Sequence, residues 1–207
     1  MQISSFFPTV IGLDKLDLNI NDIKELINIV YKLEKDEKNK NYNQSSMTIH
    51  GYHTSLSILT IERPVIQKLK QELKRVYNEY YKTHTGLKLP ENVYFYGWGM
   101  ISPKCAMSKP HVHPNSLISS AFYIKVPKDL KPSEGEFNIQ DPRPAATFGF
   151  SDLVGPNLHS IKPEAGNIAI FPSWLEHFVT PHSSEEDRIS IAINCSYDKG
   201  ENGIKIK

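Results

Sequence analysis

The chain has 207 residues, 39% hydrophobic and 23% charged, with 24 Lys and Arg against 23 Asp and Glu for a formal charge of +1. That balance excludes a disordered, collagenous or membrane-spanning protein and leaves no strong field to gather a nucleic-acid backbone or an anionic membrane. Two cysteines, Cys105 and Cys195, are too few for a disulfide framework or a thiolate zinc site, whereas eight histidines could supply a nitrogen-rich metal centre.

In chain order, the opening Met-Gln-Ile-Ser-Ser-Phe-Phe-Pro has no basic leader, and no apolar run approaches the roughly eighteen residues that span a bilayer. A cytoplasmic protein with reduced thiols is expected. Asn21 can cap a first helix, in which Ile23, Leu26, Ile27, Val30, Tyr31 and Leu33 recur at three- and four-residue steps and mark one face for a core. Lys35 to Ser46 (KDEKNKNYNQSS) reads as a solvated loop. A second helix starts near Pro64, carries Ile66, Leu69, Leu73, Val76, Tyr77 and Tyr80 on one side, and stops at Gly86.

After Pro90 the texture changes. Val93 to Ile101, Leu117 to Val126, Gly135 to Ile139, Asn167 to Phe171 and Arg188 to Ser196 are short, rich in β-branched and aromatic residues, and separated by Pro, Gly and Ser turns. Helices first and strands afterwards predict an α+β chain forming one domain over residues 1–207. Residues 1–90 form a helical support, and residues 91–207 form a jelly-roll sandwich or barrel that the helices brace on one face.

Four features in the strand-rich half carry chemistry. In Lys109-Pro110-His111-Val112-His113-Pro114-Asn115 the two imidazoles are two apart, so in extended backbone they project from one face and can reach one ion. They can equally be a pair of surface histidines. His177 follows an apolar strand and a proline turn; it can complete a three-point site or be a histidine satisfied by a backbone carbonyl. Arg188 and Ser190 share a strand face, where a guanidinium fork and a hydroxyl can grip a carboxylate. The competing reading is an edge-strand arginine paired to Glu185, Glu186 or Asp187. Lys162 to Pro172 and Asp141-Pro142-Arg143 read as turn-and-strand phrases, with Arg143 a candidate for the mouth of a pocket.

The order His-x-His, Pro-x-x-Gly-x-x-x-x-Phe-Pro, His, Arg-x-Ser resembles the 2-oxoglutarate- and iron(II)-dependent oxygenases, and looks most like a branch common in phages and marine bacteria. The phrases that carry the resemblance are His111-Val-His113-Pro-Asn115-Ser116, Ser119-Ser-Ala-Phe-Tyr123, Asp141-Pro-Arg143, Phe171-Pro-Ser-Trp174-Leu-x-His177 and Arg188-Ile-Ser190-Ile-x-x-Asn194. The opening Phe7-Pro8 and Gly51-Tyr-His-Thr54 extend it over most of the chain.

The resemblance implies a double-stranded β-helix, jelly-roll and cupin-like, with iron(II) in its mouth and 2-oxoglutarate on the metal. It implies that 2-oxoglutarate is decarboxylated to succinate with O₂ while a second substrate is hydroxylated. Carried over by position, His111 fits the first ligand and His177 the distal one. Arg188 with Ser190 fits the far carboxylate of 2-oxoglutarate, and Tyr123 and Asn194 fit its lining. Trp98 and Trp174 fit the barrel packing or its rim. One position departs from the pattern: the second ligand is usually a carboxylate two residues after the first histidine, and His113 stands there. A one-step shift would offer His113 and Asn115. The three-histidine set His111, His113 and His177 resembles cupins, and a neutral ligand in place of aspartate raises the charge of the site by one.

Two other readings stay open: a cupin-like metalloenzyme that does not use 2-oxoglutarate, and a non-catalytic β-sandwich binding module. The substrate expected is a small molecule or a protein side chain. The charge balance argues against nucleic acid, no membrane partner is expected, and a homodimer fits the class.

Overall fold

Two helices lie on the outer face of the larger of two antiparallel sheets; the computed structural model describes residues 7–38, 47–143 and 157–206. The strands are β1 (Gly12–Lys15), β2 (Thr48–Ile49), β3 (Tyr52–His53), β4 (Tyr94–Ser102), β5 (Met107–His111), β6 (Ile118–Lys125), β7 (Phe137–Gln140), β8 (Leu158–Ile161), β9 (Asn167–Pro172), β10 (His177–Val179) and β11 (Arg188–Ser196). The helices are α1 (Ile20–Lys38) and α2 (Pro64–Thr85). The larger sheet runs β1-β9-β6-β11-β4-β3 and the smaller β2-β5-β10-β7-β8. Strands β4 to β11 divide between the two sheets in the jelly-roll order of a double-stranded β-helix. No described helix is long and apolar enough to cross a membrane.

The larger sheet is covered on both faces, and β11 shows how. Its odd positions Ile189, Ile191, Ile193 and Cys195 are wholly buried against the helices, with Leu26 and Val30 of α1 and Leu69, Leu73 and Tyr77 of α2. Each such side chain contributes about 1.5–3 kcal/mol by leaving water. The even positions Arg188, Ser190, Ala192 and Asn194 face a cavity between the sheets. Period two therefore separates the core from the chemistry along a single strand. A smaller cluster, Phe137, Ile139, Ile161, Phe171 and Leu175, joins the two sheets.

Two close approaches fix the helices. A Cβ at Gly99 would lie 2.7 Å from Val30 Cγ1, so the absent side chain lets α1 settle on β4. The buried Tyr77 hydroxyl donates to the Ile193 carbonyl (2.9 Å) and shares a hydrogen bond with Ser120 Oγ (2.8 Å), tying α2 to β11 and β6.

The helix from Pro64 to the left-handed Gly86 (φ 75°) runs as expected, and β11 has the expected ends. The first helix differs at both ends. Asn19, not Asn21, caps it: its Oδ1 accepts the N–H groups of Asn21 (2.9 Å) and Asp22 (3.0 Å), while Asp22 Oδ2 accepts the Asn19 N–H (3.1 Å). This reciprocal box leaves Asn21 inside the first turn. The helix also continues through Lys35 to Lys38, where Lys38 pairs with Glu34 at 2.7 Å; residues 39–46 of the expected loop lie outside the described residues. Residues 1–90 are not purely helical, since β1, β2 and β3 extend three sheet edges by pairing with β9, β5 and β4.

Candidate active site

Between the sheets lies a cavity of about 300 Å³ with four histidines in its wall, His53, His111, His113 and His177. His111 ends β5 and His177 begins β10; the two strands pair with these residues directly opposite. His113 follows two residues on, its N–H held by the Ser173 carbonyl at 2.9 Å. The ring centroids are 4.4 Å (His111 to His177), 5.2 Å (His111 to His113) and 5.1 Å (His113 to His177) apart. One nitrogen from each ring lies within 4.8 Å of the other two. The Nε2 atoms of His113 and His177 are 3.2 Å apart. Two nitrogens sharing one ion at about 2.1 Å stand roughly 3.0–3.4 Å apart, so this pair already has ligand spacing.

Second partners orient the rings. His111 Nδ1 lies 2.6 Å from the Lys109 carbonyl and His177 Nδ1 2.8 Å from the Leu175 carbonyl, which leaves each Nε2 turned inward. Burial lowers all three imidazole pKa values. His177 falls to about 4, with a further push from His111, and His113 to about 3, with further pushes from His177, His111 and His53. At neutral pH the cluster is uncharged, the form that binds metal.

Arg188 sits in the middle of the larger sheet, between β4 and β6, with 2% of its surface exposed. The edge-strand reading fails: Glu185 pairs with Lys104 (2.5 Å), Glu186 with Lys125 (3.6 Å), and Asp187 accepts from the Tyr31 hydroxyl (2.6 Å). The guanidinium carbon lies 5.1 Å over the Tyr123 ring, and the aliphatic chain packs where a Cβ on Gly135 would be 3.4 Å from its Cδ. Arg188 Nε and Nη2 and Tyr123 Oη are buried with no hydrogen-bond partner. Burial lowers the Arg188 pKa without discharging the group, and unpaired donors of this kind in a cavity wall match an anion with two acceptor oxygens. Ser190 lines the same cavity. Asn194, six residues along the strand, reaches His113 Nδ1 (3.1 Å), so Arg188 and the histidines bracket the cavity lengthwise.

Asn115 is not brought to the cluster. It is exposed in a left-handed turn (φ 62°), its carbonyl accepts from Ser196 Oγ (2.6 Å), and it borders a separate hollow. Arg143 is also elsewhere, paired with Asp141 at 2.5 Å beside another hollow. Trp98 forms part of the wall, whereas Trp174 is 57% exposed. Sequence reasoning missed His53, which stacks on Trp98 with centroids 5.0 Å apart. Strand β3 is two residues long and gives no periodicity from which to read it.

Residues 97–194 match the family model described as "Putative 2OG-Fe(II) oxygenase". A search of curated protein sequences finds no match. Among solved structures, a Pseudomonas putida prolyl-4-hydroxylase superposes with a TM-score of 0.61 at 12% identity, over 91% of this chain and 92% of that one. A viral collagen prolyl hydroxylase from Paramecium bursaria Chlorella virus-1, solved with 2-oxoglutarate, gives 0.59 at 16%, over 89% and 94%. HygX from Streptomyces hygroscopicus, solved with nickel and 2-oxoglutarate, gives 0.57 at 11%, over 91% and 83%. These likenesses show the double-stranded β-helix fold. The segment that resembles this family, just under half of the chain, carries the histidine cluster and the buried arginine on that fold.

Proposed function

We propose that His111, His113 and His177 hold the iron, that Arg188 and Ser190 grip the far carboxylate of 2-oxoglutarate, and that the oxygenase hydroxylates an uncharged group of a small molecule or protein side chain. The observation that carries this is the Arg188 guanidinium, buried and lacking an anion, in the same cavity as three convergent neutral imidazoles. Iron(II) held by His111, His113 and His177 would supply the oxygen activation that couples decarboxylation of 2-oxoglutarate to hydroxylation of the substrate.

The protein's own residues bind and orient. The backbone carbonyls of Lys109 and Leu175 keep Nε2 of His111 and His177 bare for the ion. Arg188 offers a fork fixed by Tyr123 and Gly135, so 2-oxoglutarate arrives in one orientation, and the Tyr123 hydroxyl adds a third donor. Apart from Arg188, the described lining of the cavity has no Asp, Glu, Lys or Arg, and Met47, Leu56, Val112 and Trp98 make much of it apolar, which favours an uncharged reacting portion of the substrate. A cupin-like enzyme working without 2-oxoglutarate would have no use for the buried arginine, and that disfavours it. The two cysteines are unpaired, Cys195 buried, in keeping with a reducing cytoplasm.

Anaerobically purified protein given iron(II), 2-oxoglutarate and air should release succinate, and Arg188→Ala should not. Absence of succinate with any candidate substrate, together with unchanged 2-oxoglutarate binding in Arg188→Ala, would overturn the reading.

A further inference from the structure

Each of the three imidazoles is held through Nδ1, but the holders differ in kind. The Lys109 and Leu175 carbonyls can only accept, so His111 and His177 carry their protons on Nδ1 and turn a bare Nε2 inward. His113 Nδ1 instead meets the side-chain amide of Asn194, which can donate through Nδ2 or accept through Oδ1. In the structure Ser119 Oγ donates to Asn194 Oδ1 (2.7 Å) and Nδ2 faces His113 Nδ1 (3.1 Å). The ring then accepts at Nδ1, carries its proton on Nε2, and donates it to the bare Nε2 of His177 at 3.2 Å. The polar atoms of this hydrogen-bonded series are paired, yet the two nitrogens an ion would need are engaged with each other.

Resting on the three-histidine reading above, we propose that Asn194 is a positioning residue that sets the tautomer of His113, its amide turning over when a metal ion binds. After the turn Oδ1 accepts the His113 Nδ1–H, and Nδ2 donates to Ser119 Oγ. The Ser119 hydroxyl proton is then directed to Ser173 Oγ, 2.7 Å away. The Tyr96 hydroxyl, 3.3 Å from Asn194 Nδ2, can donate to the oxygen that replaces it. The proton moves from Nε2 to Nδ1 of one ring, so the charge does not change. Asn194, Ser119 and Ser173 are buried at 4%, 0% and 0% exposure, so a mismatched donor there would have no water to turn to. Two ligands are thus fixed by main chain, and the third is set by a group able to serve both the empty and the loaded cluster.

The test uses long-range ¹H–¹⁵N spectra of the wild-type imidazoles with and without zinc(II), and zinc(II) titration calorimetry of variants. Without zinc, His113 should be the Nε2–H tautomer while His111 and His177 are Nδ1–H; with zinc, all three should be Nδ1–H. Asn194→Leu should weaken zinc binding about 10–100-fold, and Asn194→Asp, which still accepts from Nδ1–H, should restore it to within a few-fold of wild type. A purely structural role would lower the melting temperature of Asn194→Leu and leave its zinc affinity unchanged. His113 already Nδ1–H without zinc, or Asn194→Leu binding as tightly as wild type, overturns the inference alone. Zinc contacting none of the three rings overturns the metal reading and this inference together. Should Asn194→Leu not fold, the wild-type spectra decide by themselves.

Discussion

His177 stands directly across the β10–β5 ladder from His111, with ring centroids 4.4 Å apart, so that one pair of backbone hydrogen-bonding positions sets two members of the histidine cluster. The third, His113, is added by chain continuation beyond β5, where its N–H binds the Ser173 carbonyl. The three rings therefore stand together without an ion, and an ion held there, as proposed, would stabilise the folded state over the unfolded chain. Adding manganese(II) as an iron surrogate at a hundredfold excess over its dissociation constant should stabilise the protein by about 2.7 kcal/mol, read as a rise in melting temperature. His177→Ala should abolish that rise. A rise of equal size in the variant would show the ion binding elsewhere.

The depressed imidazoles make the metal-free protein sensitive to acid. In the unfolded chain each titrates near 6.5, whereas in the fold His177 and His113 titrate near 4 and 3 because burial disfavours the cation. The unfolded state thus binds more protons as pH falls below 6.5, and stability present above that pH is lost progressively on the way down to the folded values. Melting temperature should fall between pH 7 and pH 4 in the wild type and fall less in His113→Asn. The same shifts keep the ligands unprotonated, so metal affinity should change little between pH 7.5 and 5.5. A tenfold or greater loss of affinity across that range would contradict the burial argument.

Arg188 joins binding to a cost in stability. A buried guanidinium with two unpartnered nitrogens is destabilising in the free protein, and the Tyr123 ring face offsets only part of this. Arg188→Met, of similar length and apolar, should therefore raise the melting point of the free protein, by about 1–4 kcal/mol in stability. It should weaken 2-oxoglutarate binding by at least about a hundredfold, or about 2.7 kcal/mol. Thermal melts with and without 2-oxoglutarate measure both effects. A variant both less stable and equally tight in binding would mean that another group holds the carboxylate.

The sequence made much of this legible because the signals were local. Period two from Arg188 to Ser190 placed arginine and serine on one face, the family resemblance added Asn194, and the helix around Tyr77 announced itself by its apolar stripe and its Pro64 and Gly86 ends. What escaped were features set by tertiary pairing. β5 (Met107–His111) and β10 (His177–Val179) are short and partly polar, since some of their side chains face the cavity, so no alternation marked them. His53 lies on a two-residue strand that exists only because β4 runs beside it. Spacing alone left a one-step shift to His113 and Asn115 open beside the favoured His111 and His113; the left-handed backbone at 115 turns the chain away, and spacing carries no record of that.

Gly99 is the position where the helical layer depends most directly on a missing side chain. It faces α1, and a Cβ there would meet the two γ-carbons of Val30 at 2.7 and 2.9 Å, closer than side chains pack. Val30 is wholly buried, so it has no free direction in which to yield. Gly99→Ala should cost about 1–3 kcal/mol by overpacking, measured by urea unfolding. The remedy should lie in the partner: in Gly99→Ala with Val30→Ala the double variant should be more stable than the sum of the two single losses predicts, because the added methyl occupies space the truncated valine vacates. Strict additivity would mean that α1 moves as a body to accommodate the methyl. The cavity face of β4, carried by Trp98 and Met100 on either side of Gly99, should then bind metal as in the wild type, since the helix layer and the site lie on opposite faces of one strand.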